Sequence, residues 1–165
     1  EGQRSQVVLA VVMAQDPDLL ILDDYTMGLD AGYRRLFLDY LVHYARDGGK
    51  TVLVTSHVVQ DMERLVDDVI ILRAGGRVLE TSLADFMATF KRFELPAAAA
   101  PAVLPAPAAP LHGVEREPDG TVTIHAFAAR PAVAAHLGDL GIDAAALVER
   151  PMTLEDAFVG FTGKY

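Results

Sequence analysis

The amino-acid sequence predicts an α/β protein, a parallel sheet with flanking helices followed by a small α+β appendage. Three observations carry this. Residues 19–22 (Leu-Leu-Ile-Leu) are consecutive apolar positions that run into Asp23 and Asp24, the pattern of a short strand buried on both faces that delivers two carboxylates to its end. Residues 50–55 form a second β-branched run, which ends at His57. From residue 96 the composition changes abruptly, with five prolines and eight alanines in fifteen positions, and short strand and helix patterns resume beyond.

The elements follow in order. Residues 4–15 read as a helix with Val7, Val8, Leu9, Val11, Val12 and Met13 buried nearly all round. Asp16-Pro17-Asp18 is a turn into the first strand. Asp30 is a helix N-cap, and Tyr33, Leu36, Phe37, Tyr40, Leu41 and Tyr44 recur at helical spacing until Asp47-Gly48-Gly49 stops the helix. Strand, helix and strand joined this way make a crossover unit with parallel strands. Asp23, Asp24 and His57 then leave the same edge of one sheet, where α/β proteins collect their functional groups. Residues 58–66 carry a further helical pattern. Residues 69–72 and 77–80 read as two strands joined by a Gly75-Gly76 hairpin, with a helix capped by Ser82 after them. Residues 96–110 read as an extended, semi-stiff spacer of about 45 Å at most. Beyond it, residues 113–117 and 121–127 form a hairpin around Pro118-Asp119-Gly120. A helix over 131–140, a short strand over 146–150 and a last helix over 153–161 follow, the last capped by Thr153 with Glu155 nearby.

Composition narrows the classes. Against 14 Lys and Arg stand 23 Asp and Glu, a balance that argues against nucleic acid as the main partner. Without cysteine there is no disulfide framework and no thiolate metal site. The longest apolar run, Val7 to Ala14, is far short of the roughly twenty residues a bilayer requires. Nothing at the start has the pattern of a signal peptide. His112, His125 and His136 lack metal-ligand spacing and read as structural or surface residues.

Taken together, these motifs resemble the C-terminal part of an ATP-binding cassette (ABC) transporter ATPase, a P-loop NTPase. The apolar run with Asp23-Asp24-Tyr25-Thr26 is similar to the family's Walker B strand, and Gly28-Leu29-Asp30 to its D-loop. Thr55-Ser56-His57 is similar to its H-loop, and Glu1-Gly2-Gln3-Arg4-Ser5-Gln6 to the tail of its signature motif. Residues 1–95 carry the resemblance as the C-terminal part of the ATPase domain, 96–112 form the linker, and 113–165 a small β/α accessory domain. Thr153-Leu154-Glu155-Asp156-Ala157-Phe158 is similar to the close of exporter-type appendages. The family's P-loop, Gly-x-x-x-x-Gly-Lys-Ser/Thr, is nowhere in these residues, nor are the Leu-Ser of the signature and the Q-loop glutamine. The chain is therefore expected to be a fragment opening within the signature motif, inactive by itself.

The resemblance implies ATP and Mg²⁺ as cofactors and assigns roles by position. Asp23 would hold Mg²⁺ through water. Asp24 takes the place of the family's glutamate that orients and deprotonates the attacking water, one C–C bond (roughly 1.5 Å) shorter. His57 would contact the γ-phosphate, and Asp30 would cap its helix and face the partner subunit. Gly2 and Gln3 would touch ATP held by that subunit. Tyr25 stands where the family has proline. The implied partners are a second ABC ATPase subunit in a homo- or heterodimer and a separate integral membrane permease, at the inner face of the plasma membrane. The alternative is a catalytically degenerate ABC protein serving as a regulatory or dimerisation module, a reading that Asp24 and Tyr25 favour.

Overall fold

The computed structural model describes residues 2–26, 28–72 and 78–163, without the side chains of residues 2, 3, 5 and 78. The chain divides into two compact units, residues 1–66 and 67–165.

In the first unit, α1 (Gly2–Ala14) leads by way of a turn to β1 (Leu19–Asp23), then α2 (Ala31–Asp47), β2 (Thr51–Thr55) and the short α3 (Val59–Met62). β1 and β2 pair in parallel, Leu19 opposite Thr51 and Asp23 opposite Thr55. The turn before β1 is fastened from β2's side. Lys50 Nζ lies 3.1 Å from Asp18 Oδ1 and 3.2 Å from the Asp16 carbonyl oxygen, and the hydrogen bond to Asp18 pushes the lysine pKa up. Tyr44 Oη donates to the Pro17 carbonyl at 2.5 Å. Asp30 caps α2, its Oδ1 accepting from the Gly32 and Tyr33 amides at 3.0 Å each. Arg34 Nε meets Asp61 Oδ2 at 2.9 Å, tying α2 to α3.

Two expectations need correction here. β1 is buried on one face only, with Leu20 and Leu22 inside but Leu19 and Ile21 more than half exposed. A continuous apolar strand needs cover on both faces, and the described residues supply it on one. Nor is α1 buried all round, since Leu9 is inside while Val7, Val8 and Val11 are exposed.

The second unit begins with the antiparallel pair β3 (Asp68–Leu72) and β4 (Val78–Ser82); Gly75-Gly76 lies outside the described residues. Ser82 Oγ accepts from the Asp85 amide at 3.0 Å and so caps α4 (Leu83–Thr89). Next come β5 (Lys91–Leu95), β6 (Leu111–Arg116), β7 (Val122–Ala126), α5 (Arg130–Asp139), β8 (Val148–Arg150) and α6 (Leu154–Thr162). These four strands form one antiparallel sheet in the order β6–β7–β5–β8. In α6 the capping box is closed by Asp156 rather than Glu155: the Thr153 hydroxyl accepts from the Asp156 amide, and Asp156 Oδ2 accepts from the Thr153 amide, both at 3.1 Å.

β5 was not anticipated, and it changes the reading of residues 96–112. A strand before the Pro/Ala stretch and strands after it share one sheet and one core, built on Phe93, Leu95, Leu111, Val122, Ile124 and Leu137. The stretch lies along that core instead of spacing two domains apart. Ala99, Ala100 and Leu104 pack against it, and the Pro101 carbonyl accepts from the Arg116 guanidinium. Alanine and proline lose little or no side-chain entropy on burial, so even this composition can serve as a strap.

Candidate functional site

The carboxyl ends of β1 and β2 bring three sequence-predicted site residues together. Parallel pairing sets Asp23 beside Thr55. The Thr55 hydroxyl donates to Asp23 Oδ1 and accepts from the Asp24 amide at 3.2 Å, while that amide also meets the Thr55 carbonyl at 3.0 Å. One threonine therefore orients the first carboxylate and fixes the backbone that carries the second. Sequence reasoning placed Thr55 in a motif without giving it this role.

Asp24 departs from the strand with φ at +44°. This left-handed conformation is one that aspartate tolerates better than most side chains. It turns the carboxylate toward β2, where Asp24 Oδ1 lies 2.8 Å from His57 Nδ1. A ring nitrogen at that distance from a carboxylate donates to it, which leaves Nε2 free to face a ligand. The His57 side chain is about two-thirds exposed and that of Asp24 one-third, so both are accessible.

Tyr25 and Thr26, which follow, are buried. The Tyr25 ring packs against Phe37 of α2 at 5.2 Å between centroids. Burial and the charge of Asp61 push its hydroxyl pKa up to about 12, so it stays neutral. This aromatic side chain anchors the loop to α2 by packing. Asp30 sits at the far end of the loop, holding α2's first turn. Gly2 and Gln3 open α1, and only their backbone is described.

The donor set suits a hard divalent cation, since carboxylate and hydroxyl oxygens are what Mg²⁺ takes. Among the described residues no group of three or more acid or histidine side chains gathers to hold a metal. A cation at Asp23 would draw most of its ligands from water or a phosphate, as Mg²⁺ ordinarily does.

No family model matches the chain. Part of it is similar to ATP-binding proteins of ABC transporters. It is 34% identical over 93 residues to the energy-coupling factor transporter ATP-binding protein of Clostridium perfringens, covering 56% of this chain and 32% of that protein. It is 39% identical over 79 residues to the Nod factor export ATP-binding protein I of Rhizobium leguminosarum bv. viciae, covering 48% and 25%. It is 36% identical over 87 residues to the thiamine import ATP-binding protein of a Jannaschia species, covering 53% and 38%. The matched part spans a quarter to about two-fifths of these relatives' length. An export protein and an import protein are both among them, so similarity alone does not separate the two directions.

Proposed function

We propose that the chain is the C-terminal portion of the ATP-binding and ATP-hydrolysing subunit of an ABC transporter, paired with a second such subunit and energising transport through a separate membrane permease. One observation carries this reading. Asp23, Asp24 and His57, the groups to which the resemblance gives roles in hydrolysis, lie together at one strand edge, where Thr55 orients Asp23 and holds the Asp24 backbone and Asp24 meets His57. Bound Mg²⁺ would neutralise charge on the phosphate oxygens. Asp23 would hold it there through water, its carboxylate kept in place by the Thr55 hydroxyl. Asp24 would accept a proton from the attacking water, and His57 would steady Asp24 through Nδ1 while presenting Nε2 to the terminal phosphate. Asp30 would support the loop and face the partner subunit, with Gly2 and Gln3 touching that subunit's nucleotide.

The family's P-loop pattern, Gly-x-x-x-x-Gly-Lys-Ser/Thr, is not among these residues. No helix among the described residues is long and apolar enough to cross a membrane.

Asp24 supplies the test. If its short carboxylate limits proton removal, Asp24→Glu in the complete protein raises phosphate release roughly tenfold or more, because misplacement by about 1 Å can cost a hundredfold. Turnover that stays the same or falls would show that aspartate already reaches the water from its left-handed backbone. The second reading, a degenerate regulatory module, draws on the same 2.8 Å Asp24–His57 contact, which could also serve to hold the loop. It predicts no turnover in either variant.

A further inference from the structure

Asp24 has a backbone conformation, φ +44°, that is strained for a residue with a side chain and persists only where the surroundings fix it. On the upstream side the fixing is polar, since the Asp24 amide meets both the carbonyl and the hydroxyl of Thr55. Those bonds hold the amide but not the torsion beyond it, which is set by where the chain goes next.

It goes into Tyr25, which is only 7% exposed and whose ring lies 5.2 Å from that of Phe37 on α2. The charges of Asp61 on α3 and Arg34 on α2 both reach its hydroxyl, and these two residues pair with each other at 2.9 Å. Two helices therefore build the seat. It suits a ring better than a phenol, because Tyr25 Oη is buried without a hydrogen-bond partner among the described residues, whereas buried hydroxyls are ordinarily paired. Packing is what keeps this side chain in place. Proline at the same position would drive the residue before it toward an extended φ of about −120°, so tyrosine leaves Asp24 a turn that proline would oppose.

We propose that Tyr25 is a positioning residue for Asp24: its ring, seated between α2 and α3, holds the left-handed turn that aims the Asp24 carboxylate at His57 Nδ1. It acts through Asp24 and touches neither nucleotide nor water. Its consequence for turnover rests on the proposed function, but the geometry it sets is readable without turnover.

The test reads the His57 tautomer in the whole chain from imidazole ¹⁵N shifts at about pH 9, well above the usual histidine range. The His57 signals are those missing from His57→Ala. Wild type and the conservative variant Tyr25→Phe should both carry the proton on Nδ1, where Asp24 accepts it. Tyr25→Ala should shift the proton toward Nε2, the tautomer that neutral histidine favours in water. Phe37→Leu, a milder change at a half-buried position in case Tyr25→Ala fails to fold, should shift it in the same direction. In the complete protein, Tyr25→Ala should lower kcat about tenfold or more while half-saturating ATP is unchanged, as for a misaimed group, and Tyr25→Phe should restore it. A wild type without the Nδ1–H tautomer would overturn the proposal. So would a tautomer unmoved in both Tyr25→Ala and Phe37→Leu, or one lost in Tyr25→Phe. Turnover in the wild type with unmoved tautomers would sink this inference and leave hydrolysis standing. Tautomers that move as expected in a protein without turnover would support the inference and sink the hydrolysis reading.

Discussion

Replacing His57 by alanine in the complete protein is expected to lower ATP turnover by about two orders of magnitude, the usual loss when one preorganised electrostatic contact to a reacting group is removed. On the proposed function the imidazole has two jobs at this strand edge. Nδ1, 2.8 Å from Asp24 Oδ1, holds a carboxylate whose side chain is one-third exposed. Nε2 would stabilise charge on the terminal phosphate. Alanine removes both, yet it disturbs little packing, because the ring is about two-thirds exposed. Thermal unfolding should therefore be unchanged while phosphate release collapses. Turnover that survives the substitution would remove His57 from the site.

Phe93→Ala is expected to cost about 3–5 kcal/mol in the second unit, as for other fully buried phenylalanines. Phe93 is completely buried on β5, between β7, where it pairs with Ile124, and β8, where it pairs with Glu149. Denaturant unfolding would measure the loss, and hydrogen exchange would locate it. Amides of β6 and β7 should lose protection along with β5. Were residues 96–112 a true spacer, the damage would stop at residue 95 and the strands beyond it would keep their protection.

The elements around the β1–β2 edge were legible because short-range signals agreed there. An apolar run, two acids, a capped amphipathic helix and a second β-branched run fix the parallel pair β1–β2. The part that escaped depends on partners distant in sequence. Only Arg92–Leu95 alternates charged and apolar residues, four positions, too short a run to distinguish a strand from the end of α4. Its strand identity comes from β7 and β8, about 30 and 55 residues away along the chain. The Pro/Ala stretch misled for the same reason, since composition describes what a segment cannot build alone and not what it can lie against. The shared strand edge of Asp23, Asp24 and His57, and the cap by Asp30, could be read from position. Thr55's double hydrogen bond and Tyr25's anchoring on Phe37 depend on side-chain placement that spacing does not reveal.

Phosphate release by the complete protein, wild type against Asp24→Asn, is the most direct measurement. Asparagine keeps the size of aspartate and its tolerance for the left-handed backbone at φ +44°, and it removes only the charge that would accept a proton. Magnesium-dependent turnover in the wild type that Asp24→Asn abolishes is the predicted result. A wild type without turnover, or an Asp24→Asn variant as fast as the wild type, would contradict the assignment of this strand edge as a site of ATP hydrolysis.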